Sequence, residues 1–396
     1  MISERIKNIA ASPTMKVAAK AILMKAEGVD LVDFSVGEPD FPTPQHIKEA
    51  AKIGIENNFT KYTVNEGMIE LRIAIAEKLK RENNLGYDPK EILVSNGAKQ
   101  ALFNVVMTIV ENGDEVLIPA PYYVSYPEMV KIAGGTPVII ETKAEDGFKL
   151  KPEALRRAIC PNTKALILCS PSNPTGLVYT ESELRSLGEV IEENNIFVIS
   201  DEVYEKLIYD EMPFTSMASL SPELKSLTAV VNGLSKSYAM TGWRIGYAAA
   251  QGEIIKGASK IQSHSTSGAS SVSQYAGIAA LTGPQDEIRI MNSEFKKRRD
   301  CIYEMLTSVS GIKSTKPEGA FYIFPDLSHF YGKEYNQRKV NNSSEMALYI
   351  LEEALVAVVP GIAFGADRHI RISYSTSMEN IVEGVERIIS ALGKLK

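Results

Sequence analysis

The sequence predicts an α/β protein in which a large domain, with a mostly parallel sheet covered by helices on both faces, is joined to a smaller α+β domain. Short apolar runs alternate with segments of helical periodicity between residues 90 and 250, as in a sheet that is buried on both faces. The length of 396 residues exceeds what a single compact core usually serves, so a second domain is expected.

The predicted strands are apolar runs that end in polar, glycine-rich or proline-rich loops. They span residues 91–97, 114–121, 136–142, 164–176, 196–202 and 228–236. Between them, residues 98–110 and 181–194 show helical periodicity. Strands that are apolar throughout and are separated by helices favour parallel pairing.

The pattern changes after Leu281, where the sequence TGPQDE interrupts it and a charged amphipathic helix is predicted over 287–306. Fewer strands follow, at 320–326, 354–361 and 369–375. The polar residues 332–345 are predicted to form a mobile loop. We therefore predict three parts: residues 1–44 associated with the small domain, a large cofactor-binding domain over 45–285, and a small C-terminal domain over 286–396.

The composition argues against several classes of function. A net charge of −6 without clustered basic residues does not suit a nucleic-acid surface, and no apolar run approaches the ~18 residues of a membrane span. The N-terminus shows no signal peptide, and the four histidines lack metal-ligand spacing, so no metal is predicted. Three widely spaced cysteines suit a reducing compartment. We expect a cytoplasmic protein that acts on small molecules.

Polar residues follow several predicted strands at their carboxyl ends, which is where open α/β sheets bind ligands. These residues are Asn96, Gly97, Ala98, Lys99, Tyr122, Tyr123, the loop 170–176, Asp201, Tyr204, Ser235 and Lys236. Each has an ordinary structural explanation when taken alone. Asp201 could cap a helix, the loop around Asn173 could be a turn, and Lys236 could be a surface lysine.

Pyridoxal 5′-phosphate requires all of these groups at once. It needs a lysine for a covalent imine and a carboxylate against its pyridine nitrogen. Its phosphate favours the N–H groups of a helix terminus and an arginine, and Arg244 follows shortly after Lys236. Its ring favours an aromatic face. Because the strand ends supply each of these groups, the sequence predicts a pyridoxal-phosphate site.

Longer motifs extend this pattern over nearly the whole chain. They are SVGEPDFPTP (35–44), KYTVNEGMIELR (61–72), NGAKQALFN (96–104), PYYVSYPEM (121–129), SPSNPTG (170–176), SDEVYE (200–205), NGLSKSYAMTGWRIGY (232–247), PEGAFYIF (317–324), and VVPGIAFG and HIRISYSTS within 358–377. With these motifs in this order, the chain resembles the class I, fold-type I, pyridoxal-phosphate aminotransferases, closest to the prokaryotic aspartate aminotransferases.

The resemblance implies a role for each residue that matches a family motif. Lys236 matches the lysine that bonds the cofactor and moves the substrate proton, and Asp201 matches the partner of the pyridine nitrogen. Tyr204 and Asn173 would bond the phenolate oxygen. Tyr123 stands where family members commonly carry tryptophan, and its ring can still stack. The family loop often reads NNPTG, and here a serine precedes Asn173.

The resemblance also implies which residues hold the phosphate of the cofactor. They are Ser235, Arg244 and the backbone amides of Ala98 and Lys99. Tyr62 matches the tyrosine that family dimers contribute to the phosphate of the neighbouring subunit. The resemblance therefore implies a homodimer with shared active sites.

The residues implied for the substrate lie in other motifs. Arg371 matches the arginine that binds the α-carboxylate, with Gly37 and Asn173 nearby. Lys99 matches a lysine that contacts the distal carboxylate of acidic substrates. The N-terminal residues that close over the same group correspond to Ser12 and Thr14.

The resemblance thus implies an enzyme that moves the amino group of L-aspartate to 2-oxoglutarate with ping-pong kinetics. An aromatic, alanine or broad-range aminotransferase, or a β-eliminating lyase of the same fold, stays open as an alternative. An effector-sensing domain of a regulator is disfavoured because the family register begins at Ser35 without a preceding DNA-binding domain. A nicotinamide dehydrogenase is disfavoured because no G-x-G-x-x-G follows a strand.

Overall fold

The computed structural model describes residues 2–9 and 15–396. The helices are α1 (Glu4–Lys7), α2 (Met15–Ala26), α3 (Gln45–Glu56), α4 (Ile69–Asn83), α5 (Ala98–Ile109), α6 (Tyr126–Ala133), α7 (Pro152–Ala158), α8 (Glu181–Asn194), α9 (Pro222–Ser226), α10 (Gly252–Ser263), α11 (Ser271–Thr282), α12 (Asp286–Thr307), α13 (Ser343–Ala354) and α14 (Met378–Lys394). The strands are β1 (Val32–Asp33), β2 (Ile92–Ser95), β3 (Glu115–Ala120), β4 (Thr136–Glu141), β5 (Thr163–Cys169), β6 (Phe197–Asp201), β7 (Thr228–Gly233), β8 (Gly246–Ala249), β9 (Tyr322–Ile323), β10 (Glu334–Tyr335), β11 (Arg338–Lys339), β12 (Val356–Ala357), β13 (Val359–Pro360) and β14 (Ile370–Ser373).

The central sheet has the strand order β2-β8-β7-β6-β5-β3-β4. Strand β8 runs antiparallel to both of its neighbours, and the other neighbouring pairs are parallel. The predicted mostly parallel sheet is therefore confirmed. The carboxyl ends of β3, β5, β6 and β7 lie at the same edge because these strands point the same way.

Helices cover both faces of this sheet because apolar side chains leave each strand on alternating sides. On one face, Leu93, Ile118 and Ile199 pack in a cluster that includes residues of α5, α6 and α10. On the other face, Leu166 and Val198 pack with α8, and further strand residues pack with α4 and α11. The strands are buried from both sides, which explains why their sequences are apolar throughout.

Strand β8 is absent from the sequence prediction. Its four residues, Gly246 to Ala249, include a glycine and two alanines, which have weak strand propensity. The strand forms because it lies between β2 and β7 and completes the hydrogen bonding of both. Only a glycine fits at position 246, because a Cβ there would lie 2.1 Å from the backbone nitrogen of Ala98. The missing side chain lets the start of α5 approach the sheet closely.

A second core lies in the C-terminal part of the chain. Strands β13, β14 and β9 form an antiparallel sheet, against which Phe295 of α12, Ile350 of α13 and Ile388 of α14 are buried. Strand β1 pairs with β12 through Val32 and Val356, so the N-terminal strand joins this core. The association of residues 1–44 with a small domain and the domain boundaries stay predictions.

Residues 332–345 differ from the predicted mobile loop. They contain the antiparallel pair of β10 and β11, followed by the start of α13. Asn336 and Gln337 connect the two strands with φ of 49° and 64°, the backbone signs of a two-residue hairpin turn. The sequence shows no strand signal here because the segment lacks apolar alternation. No helix within the described ranges is long and apolar enough to cross a membrane.

Candidate active site

A cavity of about 370 Å³ opens beyond the carboxyl ends of β5, β6 and β7, beside the start of α5. The predicted site residues that line it are Gly37, Ala98, Lys99, Tyr123, Asn173, Asp201, Tyr204, Ser235, Lys236, Arg244 and Arg371. The structure therefore brings together side chains that are separated by hundreds of positions in the sequence. Tyr62 is fully exposed and does not line the cavity. Ser12 and Thr14 lie outside the described residues.

Lys236 follows β7 and reaches into the cavity, where its Nζ donates a hydrogen bond to the carbonyl of Gly37. Burial lowers the pKa of this amine to about 8, against an opposing effect of Glu38. The guanidinium groups of Arg371 and Arg244 lower the pKa further because they repel a second positive charge. At neutral pH a fraction of Lys236 is therefore an unprotonated amine, which can act as a nucleophile and as a base.

Asp201 is the last residue of β6, and its carboxyl group is buried against the cavity. Its Oδ2 accepts a hydrogen bond of 2.7 Å from the Tyr126 hydroxyl. Burial raises the pKa of Asp201 to about 6, although the Tyr126 hydrogen bond favours the ionised form. A cation placed in the cavity beside Asp201 would offset this desolvation.

Arg371 and Asn173 also line the cavity. The Nη1 of Arg371 donates to Oδ1 of Asn173 over 3.2 Å, and Nη2 donates to the carbonyl of Ser35 over 2.8 Å. The guanidinium carbon lies 4.5 Å from the ring centroid of Tyr322. Its Nε is buried without an acceptor among the described residues. This arginine is held in place yet retains donor capacity for an anion.

Tyr204 lines the same cavity. Its hydroxyl is 2.9 Å from the hydroxyl of Tyr322, and both side chains are buried. Burial raises the pKa of Tyr204 well above its usual value, so its hydroxyl stays protonated and can donate. The Tyr204 phenol is therefore a neutral hydrogen-bond donor.

The start of α5 also lines the cavity, through Ala98 and Lys99. Gly97 precedes the helix with a φ of 88°, in the left-handed region that favours glycine. Arg244 lies against it, with Nη1 bonded to the carbonyl of Thr241 over 2.9 Å and Nη2 bonded to that of Asn96 over 3.2 Å. The first N–H groups of an α-helix have no intrahelical acceptor. These N–H groups and the Arg244 guanidinium form a cluster of donors that suits an anion such as phosphate.

Tyr123 and Lys99 form a further wall. The Nζ of Lys99 lies 5.5 Å from the ring centroid of Tyr123, within the range of a cation–π contact. The Tyr123 ring meets the ring of Tyr126 edge-on, with centroids 5.4 Å apart. Tyr123 thus offers a supported aromatic face, and Lys99 supplies a positive charge beside it.

The sequence interpretation missed several residues of this cavity, namely Glu38, Tyr126, Cys169, Thr241 and Tyr322. Four of them lie within motifs that carry the family resemblance and Cys169 directly precedes one, so position relative to a motif is the available signal. Their contacts depend on tertiary structure: Tyr126 and Asp201 are 75 positions apart in the chain. In the described residues, no group of histidine, cysteine or carboxylate side chains could hold a metal ion.

The site thus combines a partly buried lysine and a buried carboxylate at the strand ends of a mostly parallel sheet with a cluster of hydrogen-bond donors at a helix start. The chain belongs to the aminotransferase class I and II family, whose pattern matches residues 29–388. The family resemblance seen in the motifs is thereby confirmed.

Individual relatives are similar over the full length. The chain is 48% identical to an aspartate aminotransferase of Bacillus sp. (strain YM-2) over 388 residues, 98% of each chain. It is 47% identical to a probable aspartate/prephenate aminotransferase of Rickettsia felis, covering 100% of this chain and 97% of the relative. The crystal structure of an aspartate aminotransferase from Rhizobium meliloti superposes with a TM-score of 0.97 at 44% identity, covering 100% of both chains.

Proposed function

We propose that the protein is an aspartate aminotransferase that uses pyridoxal 5′-phosphate. The observation that carries the proposal is that Lys236 and Asp201 line one cavity together with Arg244 and the start of α5. The names of the full-length relatives support aspartate as the amino donor. A homodimer is part of the proposal, and a cytoplasmic location stays a prediction from the unpaired cysteines.

Pyridoxal phosphate fits the groups that the cavity presents. Arg244 and the N–H groups at the start of α5 suit its phosphate, and Gly97 leaves room for that arginine, since a Cβ there would lie 2.3 Å from Nη2. The buried carboxyl of Asp201 suits a protonated ring nitrogen, because the positive charge would offset its desolvation. Tyr204 and Asn173 would bond the phenolate oxygen. When bound, the cofactor supplies an electron-accepting ring for the electrons of a broken Cα–H bond.

Lys236 acts as the general base of this reaction. Its pKa of about 8 lets it take the proton from the substrate Cα at neutral pH and return a proton on the product side. Asp201 keeps the proton on the ring nitrogen. Because the amino group is first left on the enzyme and then passed to the second substrate, the kinetics are ping-pong.

Arg371 binds the α-carboxylate of both substrates in this proposal. Its guanidinium is positioned by Asn173 and Ser35 and keeps a buried Nε without an acceptor in the described residues. Lys99 binds the distal carboxylate of aspartate and of 2-oxoglutarate. Its contact with Tyr123 supports this role because it holds the ammonium beside the proposed ring-stacking face. The predicted contributions of Ser12 and Thr14 to the same group remain part of the proposal.

A second candidate acceptor is prephenate, which the name of the Rickettsia felis relative suggests. Prephenate also carries two carboxylates, so Arg371 and Lys99 would serve the same roles. 2-Oxoglutarate and prephenate would bind at the same site. Prephenate is the larger of the two, so it requires more space between Arg371 and Lys99.

A coupled assay tests the proposed function. Purified protein with added pyridoxal phosphate receives L-aspartate and 2-oxoglutarate, and malate dehydrogenase reports the oxaloacetate formed. We expect turnover that requires both substrates, with parallel double-reciprocal lines. Alanine, phenylalanine and prephenate in place of the substrates distinguish the alternatives. Release of ammonia from the donor without any acceptor would instead identify a lyase.

A further inference from the structure

The carboxyl group of Asp201 has unequal hydrogen bonds at its two oxygens. Oδ2 accepts a short bond of 2.7 Å from the Tyr126 hydroxyl, whereas Oδ1 accepts only a long bond of 3.4 Å from the backbone N–H of Val203. Tyr126 and Asp201 are both buried in the wall of the cavity. The hydroxyl of Tyr126 is thus the strongest hydrogen-bond donor to this carboxyl in the described structure.

Tyr126 is itself held firmly at the start of α6. Its backbone N–H donates to the carbonyl of Tyr123 over 3.0 Å, and its ring meets the Tyr123 ring edge-on at 5.4 Å. The side chain is 2% exposed, so it has no alternative position in solvent. One residue therefore links the aromatic wall of the cavity to the carboxyl at the end of β6.

We propose that Tyr126 is a positioning residue that fixes Asp201 through its hydroxyl, so that Oδ1 is left to accept a hydrogen bond from the cofactor ring nitrogen. The proposal rests on the function proposed above. No ion pair fixes the carboxyl group of Asp201, because no basic nitrogen lies within 4.0 Å of it among the described residues. A hydrogen bond to the charged form of a buried carboxyl favours that form.

The other titratable groups around Asp201 do not duplicate this effect. Cys169 of β5 is a buried thiol whose Sγ donates to the carbonyl of Pro171 over 3.3 Å, and it carries no charge. Lys236 acts on Asp201 through its charge alone, without a hydrogen bond. With the Lys236 amine uncharged, the hydroxyl of Tyr126 would remain the side chain of this protein that directly stabilises the carboxylate.

The test compares Tyr126→Phe with a matched control. Tyr126→Phe keeps the ring and its contact with Tyr123, and removes only the hydroxyl. The control is Tyr349→Phe in α13, whose buried hydroxyl also makes a 2.7 Å hydrogen bond, to the carbonyl of Ala391, far from the cavity. In the apoprotein, the infrared band of the protonated Asp201 carboxyl, assigned by its loss in Asp201→Asn, is followed against pH.

We expect the midpoint of this titration to rise by about one to two pH units in Tyr126→Phe, because a donor to the charged form is lost. Tyr349→Phe should titrate like the wild type. A midpoint in Tyr126→Phe within about 0.3 units of the wild type, or an equal shift in both variants, would overturn the proposal.

The holoenzyme gives a second readout with pyridoxal phosphate labelled with ¹⁵N in the ring. The wild-type signal should be that of a protonated ring nitrogen, and in Tyr126→Phe it should move towards the neutral value because Asp201 becomes the stronger base. An unchanged signal in Tyr126→Phe would overturn the positioning role alone. A wild type that binds no labelled cofactor would overturn the proposed function and, with it, this inference.

Discussion

Asp201 is a buried carboxyl that costs stability in the apoprotein and is proposed to serve the reaction. Its pKa is raised from 3.8 in the unfolded chain to about 6, so the folded apoprotein binds the proton more tightly than the unfolded chain. The contribution of Asp201 to stability is therefore most favourable below the unfolded pKa and is lost as the pH rises from about 4 to about 6. The proposed role of Asp201 at the cofactor ring nitrogen accounts for a carboxylate at this position.

We expect Asp201→Asn to stabilise the apoprotein above pH 7 by up to about 3 kcal/mol, since a shift of one pKa unit is about 1.4 kcal/mol. The gain should vanish near pH 3.5, where the wild-type carboxyl is protonated in both states. Urea unfolding at several pH values measures it. The same variant should lose turnover by a hundredfold or more. A variant of unchanged stability and full activity would show that Asp201 is only a structural residue.

Lys99 is the residue on which substrate choice is proposed to depend. Lys99→Ala should lower kcat/KM for aspartate about ten- to a hundredfold, because a charge-assisted hydrogen bond of roughly 1.5–3 kcal/mol is lost. Alanine and phenylalanine, which lack the distal carboxylate, should be affected little. Lys164→Ala, an exposed lysine of β5 away from the cavity, serves as the control. Equal losses for all donors would assign Lys99 to the cofactor or to the structure.

At the scale of single residues, the sequence identified the groups that follow strands in the chain. Lys236 and Asp201 could be found because apolar runs mark where strands end. Tyr126 could not be assigned a role, because its hydrogen bond with Asp201 forms only after α6 packs against α5 and the sheet. The sequence indicates which residues lie at a strand end. The tertiary structure determines that the hydroxyl of Tyr126 contacts the carboxyl group of Asp201.

Among the elements, the junction of β2 and α5 forms the proposed phosphate site. The helix was predicted over 98–110 and is observed as Ala98–Ile109. The sequence pattern did not reveal how closely the start of α5, Arg244 and β8 approach each other at this junction. Gly97 must leave space for Arg244, and Gly246 must leave space for the backbone of Ala98.

The close approach of Arg244 to Gly97 predicts different outcomes for alanine substitution at two glycines that both have a positive φ. Gly97 has φ of 88° and would place a Cβ 2.3 Å from Arg244, whereas Gly113 has φ of 98° and no atom within 4 Å. We expect Gly113→Ala to cost only backbone strain, about 1 kcal/mol in urea unfolding. Gly97→Ala should also weaken binding of pyridoxal phosphate to the apoprotein, about tenfold or more. Unchanged cofactor affinity in Gly97→Ala would remove Arg244 from the phosphate site.

Elements without an apolar pattern were the least predictable. Strand β8 forms because β2 and β7 need a partner, and the hairpin of β10 and β11 depends on two residues with positive φ. In both cases the pairing context outweighs intrinsic propensity. The sequence nevertheless predicted the mostly parallel sheet and the long helix α12, where apolar periodicity is strong.

For the whole molecule, the proposed homodimer accounts for an exposed apolar surface. Phe59, Tyr62, Val64 and Ile69 are all large apolar or aromatic residues that are exposed in the single chain. Such a surface is typical of a protein–protein interface. Tyr62 does not line the cavity of its own chain, and its role in the neighbouring subunit stays a proposal.

Subunit mixing tests the shared site. Tyr62→Ala and Lys236→Ala proteins, each impaired alone, should regain activity when their subunits exchange, because a hybrid dimer has one site without a lesion. Exchange between two preparations of Lys236→Ala is the control and should restore nothing. Confirmed hybrid dimers without recovered activity would mean that Tyr62 acts within its own chain or not at all.

The most direct test of the central claim is to locate the covalent bond to the cofactor. Protein saturated with pyridoxal phosphate is reduced with borohydride and digested, and the modified peptide is identified by mass spectrometry. We expect a single modified residue, Lys236. The Lys236→Ala protein should bind the cofactor without covalent labelling and should show no turnover. Stoichiometric labelling of a different lysine, or full turnover by Lys236→Ala, would contradict it.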